Sequence, residues 1–276
     1  MRIEELQQGS LPFRRLLSGT WRVYQGNFPA LAAYLLIFGA PGFVAQMLLP
    51  FPIKPTNLGS ALGLGAMAIP LGIIAGYGHM ASAWAVSRVV SGEPCAPRSA
   101  IRAALAATPR YLPAATAFFI AGLLLPGLLA AAFVATLRHL AGLALIIIVG
   151  VLGLASFILP CLFIANALCF VPTIVVLRPL SWAGALSRSW ALVRGRWWRV
   201  FGMTLTLELP GLILMQSGQL IPHTIPFRAG SELVQLLLAP FATVGVTLLF
   251  LHLDFLGPAS APARSDPAPA TAEVTP

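Results

Sequence analysis

Long apolar runs alternate with short arginine-bearing segments along the whole chain. A helix that crosses a bilayer needs about 20 mostly apolar residues, and the runs predict six such crossings. The first covers about Phe28 to Leu49, the second about Leu58 to Val86, and the third about Tyr111 to Leu137. The fourth run, about Leu140 to Leu177, exceeds one crossing. Pro160 and Pro172 are expected to break it, because proline removes a backbone donor and kinks a helix. One crossing to about Phe170 and a shallow segment returning along the interface is the resulting expectation. The fifth crossing is about Val200 to Ile221 and the sixth about Ser231 to Phe255. Residues 1–256 then form an integral membrane domain. From Gly257 to Pro276 the chain is rich in Pro, Ala, Ser and Thr, which predicts a disordered tail.

A repeat lies under this pattern. Leu17, Ser18, Trp21, Gly26 and Phe28 align at one constant offset with Leu186, Ser187, Trp190, Gly195 and Trp197. A weaker copy holds Ile101, Leu105 and Leu112 opposite Leu17, Trp21 and Phe28. Spacings of four and then seven put these side chains on one helical face, and the arginines mostly fall on other faces. The unit reads as a basic amphipathic helix lying in the interface, followed by a hairpin of two crossings. Three units account for the chain, with interfacial helices at about 11–27, 97–110 and 180–199. The fold class is an all-α polytopic membrane protein.

Composition supports the same class. Hydrophobic residues make up 58% of the chain and charged residues 9%, against about 25% charge in a soluble domain; the mean hydropathy is +0.87. A formal charge of +9 suggests nucleic acid in a soluble protein. Here the cations sit beside apolar runs, so anionic lipid headgroups are the expected partner and nucleic acid is not. Of the 17 Lys and Arg residues, only Lys54, Arg138 and Arg228 fall on one side of the predicted membrane. The positive-inside rule puts the others in the cytoplasm, with both termini cytoplasmic in a cytoplasmic (inner) membrane. The first 27 residues are charged and lack an apolar core, so no secretory signal is expected. Cys95, Cys161 and Cys169 form no CxxC pair and read as small apolar fillers.

The densest local pattern is Ala185 to Phe201. Within it, Arg188, Arg194, Arg196 and Arg199 stand beside Trp190, Trp197 and Trp198. Arginine and tryptophan are anchors of the membrane–water interface, so these seven residues are the candidate headgroup-binding set. Pro172 to Val176 followed by this phrase resembles a widespread group of prokaryotic six-helix membrane proteins of unknown function. It is similar to the membrane domain found fused to some glycerophosphodiester phosphodiesterases. The resemblance runs from about residue 11 to 256. Leu177 and Arg178 stand where that group often has a glutamate. Leu251 to Leu256 stand where it often has tyrosines and Asp-Leu-Arg, and Asp254 is retained. The chain carries no phosphodiesterase catalytic domain, so the resemblance implies no such activity.

A few polar residues interrupt the apolar runs. Glu208 sits roughly 12 Å along the fifth crossing at 1.5 Å per residue, where a carboxylate costs at least about 2.5 kcal/mol. It is either an ion, proton or substrate site, or a paired group that stabilises packing. His79 lies among Gly72, Gly76 and Gly78, and Asn166 lies in the fourth run. Interhelical hydrogen bonding accounts for both, and a metal site would need three or four ligands. Gly72 and Gly76 form a GxxxG that lets helices approach. His252 and Asp254 are expected to pair with the Arg194–Arg199 cluster. No HExxH, GxSxG or phosphate-binding loop occurs, so neither enzymatic activity nor a cofactor or metal is expected. The leading reading is a non-enzymatic protein that organises lipids, or a protein partner, through its basic interfacial helices. The alternative is a transporter or channel using Glu208.

The arginine asymmetry makes a topological prediction. Single cysteines at Ser10, Ser99 and Ser260, in a background without the native cysteines, should resist an impermeant thiol reagent in intact cells. Those at Asn57 and Thr224 should react. Labelling at Ser99 but not at Asn57 contradicts the orientation.

Overall fold

The computed structural model describes residues 12–48, 58–94, 96–120, 159–220 and 225–256, although some side chains inside the long helices fall outside the description. Among these residues every regular element is helical. In chain order they are α1 (Phe13–Leu48), α2 (Leu58–Val90), α3 (Pro97–Ala106), α4 (Thr108–Phe119), α5 (159–168), α6 (Val171–Leu177), α7 (Trp182–Val193), α8 (Trp197–Leu220) and α9 (Ile225–Leu256).

Three described stretches are long and apolar enough to cross a bilayer: Ile69–Val90, Leu159–Leu177 and Leu237–Leu256. The other expected crossings run partly through residues outside the description, and most of the third and fourth apolar runs, 121–158, lies wholly outside it. Of the three, Leu237–Leu256 is the most enclosed, with 67% of its apolar window buried. α9 is therefore the central helix, packed against α1, α2 and α8. Leu248, Leu249, Phe250 and Leu253 are its largest fully covered side chains. Tyr24 of α1 ties itself to α9 by donating from Oη to the Leu237 carbonyl at 3.0 Å. The ring of Phe241 sits edge-on to Tyr24, 5.8 Å between centroids.

Small residues set the closest approaches. A Cβ on Gly72 would overlap the Phe119 ring, and one on Gly76 would overlap the Tyr111 hydroxyl. The GxxxG face of α2 thus receives the aromatic side chains of α4, which is the close approach such spacing permits. A Cβ on Gly245 would likewise overlap Leu207, so this glycine seats α8 on α9.

The local breaks have local causes. Pro172 occupies the first turn of α6, where its missing N–H leaves no bond unmade. α6 packs within the bundle. Val171, Thr173, Ile174 and Val175 are buried, and the helix packs on α2 and α7. Gly195 ends the turn between α7 and α8 with φ +82°, a left-handed conformation that favours glycine. Gly26, its counterpart at the constant offset, lies inside α1 instead. Consequently 13–48 is one helix of 36 residues, about 54 Å long at 1.5 Å per residue. The sequence reading divides that stretch into an interfacial helix to 27 and a crossing from Phe28.

Three helical segments share one burial register. Leu16, Thr20 and Val23 in α1, Ala100, Ala104 and Ala107 at α3, and Ala185, Ser189 and Leu192 in α7 are buried. These positions correspond under the sequence offsets, and their spacing of four and then three gives one inward stripe. Trp21, Leu105 and Trp190, also in correspondence, are exposed.

Candidate lipid interface

The loop between α7 and α8 sets the geometry of the basic-aromatic phrase. Ser181 caps α7, its Oγ accepting from the Gly184 amide at 3.2 Å, which satisfies one unpaired donor of the first turn. Arg194 closes the helix, and its amide donates to the Trp190 carbonyl. The Arg196 amide then reaches back to the Val193 carbonyl at 2.9 Å. This tight turn leaves Arg194, Arg196, Trp198 and Arg199 exposed. Trp198 is 78% exposed, an orientation that water alone would not favour for so large an apolar surface.

The other two tryptophans of the phrase stand on an aromatic platform. Trp197 stacks on Phe201 at 4.9 Å and on Phe163 at 5.7 Å between centroids. Trp190 meets Phe163 edge-on at 5.4 Å. Two hydrogen bonds fasten α5 to this platform. Asn166 Nδ2 donates to the Trp197 carbonyl at 3.3 Å, and Ser189 Oγ donates to the Ala167 carbonyl at 2.8 Å. Asn166 therefore does the packing work expected of it, with its amide oxygen buried beside the platform.

Arg188 does not belong with the exposed arginines. Its guanidinium donates from Nη2 and Nε to Asp254 Oδ1, at 2.7 and 3.3 Å. Arg178 pairs with the other carboxylate oxygen, and Arg110 donates to the Arg178 carbonyl at 3.0 Å. Asp254 pairs with Arg178 and Arg188, then, and not with the Arg194–Arg199 cluster. The reason is geometric: Arg188, next to the inward Ser189, faces the last turn of α9. His252, two residues earlier, is buried. Burial pushes the Tyr24 phenol above its ordinary pKa, which keeps it the donor to Leu237.

The other two polar residues of the apolar runs meet elsewhere. His79 of α2 and Glu208 of α8 line one cavity of about 220 Å³ against α9. His79 Nδ1 lies 2.7 Å from Thr243 Oγ1. Thr243 is absent from the sequence reading, since a lone threonine in an apolar run carries no spacing that points to a partner. Arg110 is missed for the same reason: its position in a basic segment says nothing of the carbonyl it binds. Among the described residues no group of three or more His, Cys, Asp or Glu side chains is placed to hold a metal ion.

The chain belongs to a family defined by a domain of unknown function (DUF7847), which matches residues 15–251. No curated protein and no solved structure matches it.

The Asp254 clamp yields a ranking. Removing one partner of a buried ion pair costs about 3–5 kcal/mol, while an exposed pair contributes about 0–1. The Arg188 side chain is 22% exposed and that of Arg178 51%. In thermal melts of the purified protein, Arg188→Gln should therefore lower the midpoint more than Arg178→Gln. Equal losses, or the reverse order, contradict the clamp as described.

Proposed function

We propose that this is a non-enzymatic, multi-pass protein of the cytoplasmic membrane whose basic amphipathic helices grip anionic lipid headgroups and organise lipids or a protein partner at the membrane surface. In this reading six crossings and three repeated units make up the membrane domain, and both termini are cytoplasmic. One observation carries it. At corresponding positions of α1, α3 and α7, small or slender side chains face inward and Trp21, Leu105 and Trp190 face outward. A soluble protein has no use for three such outward apolar residues in one register. At a bilayer surface they seat the helix while neighbouring cations meet phosphate. Arg22, Arg102 and the exposed arginines of the α7–α8 turn supply those cations.

The likeness to the membrane domain joined to some glycerophosphodiester phosphodiesterases is in keeping with a lipid-facing role. It rests on Pro172–Val176 and the Ala185–Phe201 phrase. Cations near an anionic surface contribute about 1 kcal/mol each. The Arg188–Asp254 pair takes Arg188 out of this set and leaves Arg194 and Arg196 at the exposed turn beside Trp198.

Replacing Arg194, Arg196 and Arg199 together by glutamine should lower the anionic lipid that co-purifies with the protein. By the same electrostatics it should weaken binding of the purified protein to phosphatidylglycerol nanodiscs relative to phosphatidylcholine ones. Unchanged lipid retention in a folded triple variant means the cluster serves only to orient the chain.

A further inference from the structure

The cavity between α2, α8 and α9 has a chemistry of its own, independent of the headgroup surface. Its walls are mostly apolar, with Leu207, Pro210, Leu238 and Phe241 around two polar side chains, His79 and Glu208. Both polar groups present acceptors. The Thr243 hydroxyl donates to the Ala239 carbonyl at 3.1 Å. With the proton given to that carbonyl, the hydroxyl is left to accept from His79 Nδ1–H across 2.7 Å, which is the tautomer we assign. That assignment leaves Nε2 as the unprotonated nitrogen of the ring, a hydrogen-bond acceptor. Glu208 is open to the cavity rather than packed away, and among the described residues no cation pairs with it.

These groups share one depth. His79 precedes Arg88 by nine residues, Glu208 follows Arg199 by nine, and Thr243 precedes Asp254 by eleven. At 1.5 Å per residue each lies roughly 13–17 Å from the charged end of its helix, near the middle of a hydrocarbon core about 30 Å thick. A carboxylate at that depth calls for a positive partner. A metal ion does not suit: hard cations take about six or more oxygen ligands, and the described residues offer no metal-ligating cluster.

We propose that this cavity is a binding site for a small organic ammonium ion, with Glu208 as counter-charge, His79 Nε2 as a second acceptor and Phe241 with Leu207 and Leu238 around the alkyl part. The ammonium donates one N–H to each acceptor, and Phe241 adds an aromatic wall beside the cation. Thr243 is a positioning residue, because it fixes the imidazole tautomer without lining the cavity. His79 also lines a second cavity of about 220 Å³ toward α4 and α6, so the imidazole stands between two chambers. A mid-depth site of this kind is what the alternative reading as a transporter requires.

The test uses the full chain in lipid nanodiscs, with n-butylammonium chloride and the neutral n-butanol as probes in calorimetric titrations. The site predicts saturable binding of butylammonium to the wild-type protein, at least tenfold tighter than butanol. Glu208→Gln should weaken it tenfold or more, and Glu208→Asp should retain most of it. Thr243→Val should weaken it severalfold with the carboxylate intact. Absence of saturable binding, equal binding of the alcohol and the ammonium, or a folded Glu208→Gln variant with unchanged affinity overturns the assignment. The comparison of the two probes on the wild-type chain needs no variant to fold. Binding of phosphatidylglycerol is measured separately, so either result stands without the other.

Discussion

A carboxylate buried at the end of an apolar helix must be held by cations, and Asp254 is held by two. Arg178 follows α6 and Arg188 lies in α7, so one side chain on α9 joins three elements. The dependence is strongest for α7. A 12-residue helix is marginal alone in water, and its inward stripe of Ala185, Ser189 and Leu192 is small. The ion pair and the Ser189–Ala167 hydrogen bond together fix its place against α9 and α5. Because α9 is also the helix that α1, α2 and α8 pack against, the clamp links the surface helix to the core of the bundle.

The inward positions of the three basic segments are mostly small, and the corresponding outward ones are large. Inside a bilayer there is no hydrophobic force between helices, so close packing of small residues holds them together. Gly72, Gly76 and Gly245 meet that need, and Thr20, Ala104 and Ser189 give the basic segments an equally small inward face. At the surface the opposite rule applies. Trp21, Trp190 and Trp198 expose broad amphipathic rings, which suit the headgroup region better than either water or hydrocarbon. In the proposed orientation His79, Glu208 and Thr243 lie deepest, where a polar group without a partner is most costly.

Much of this was legible in the chain before the structure. The apolar runs announce the helical class. Gly72 and Gly76 announce a close approach, and the recurring Leu-Ser-x-x-Trp phrase announces segments in one register. What the chain does not reveal is pairing across long separations. Nothing in the sequence tells that Asp254 meets Arg178 and Arg188 rather than the arginines of the next turn, because that choice depends on which side of α7 faces inward. Thr243 is silent for the same reason, since its role exists only opposite His79. The continuity of α1 was hidden too: Gly26 and Gly195 match in sequence, and only the backbone separates a glycine inside a helix from one that ends it. The expected hairpin around 121–158 lies outside the described residues, so six crossings rest on the sequence.

The central claim is that three helical segments, the first of them the N-terminal part of α1, meet the membrane surface with their large apolar residues facing lipid. Depth-dependent quenching of single-tryptophan variants by brominated lipids tests it most directly. With only Trp21, Trp190 or Trp198 retained, the account predicts strongest quenching by bromines placed near the headgroups and progressively weaker quenching toward the bilayer centre. Quenching that peaks at the centre, or no quenching at any depth for Trp21 and Trp190, would contradict it.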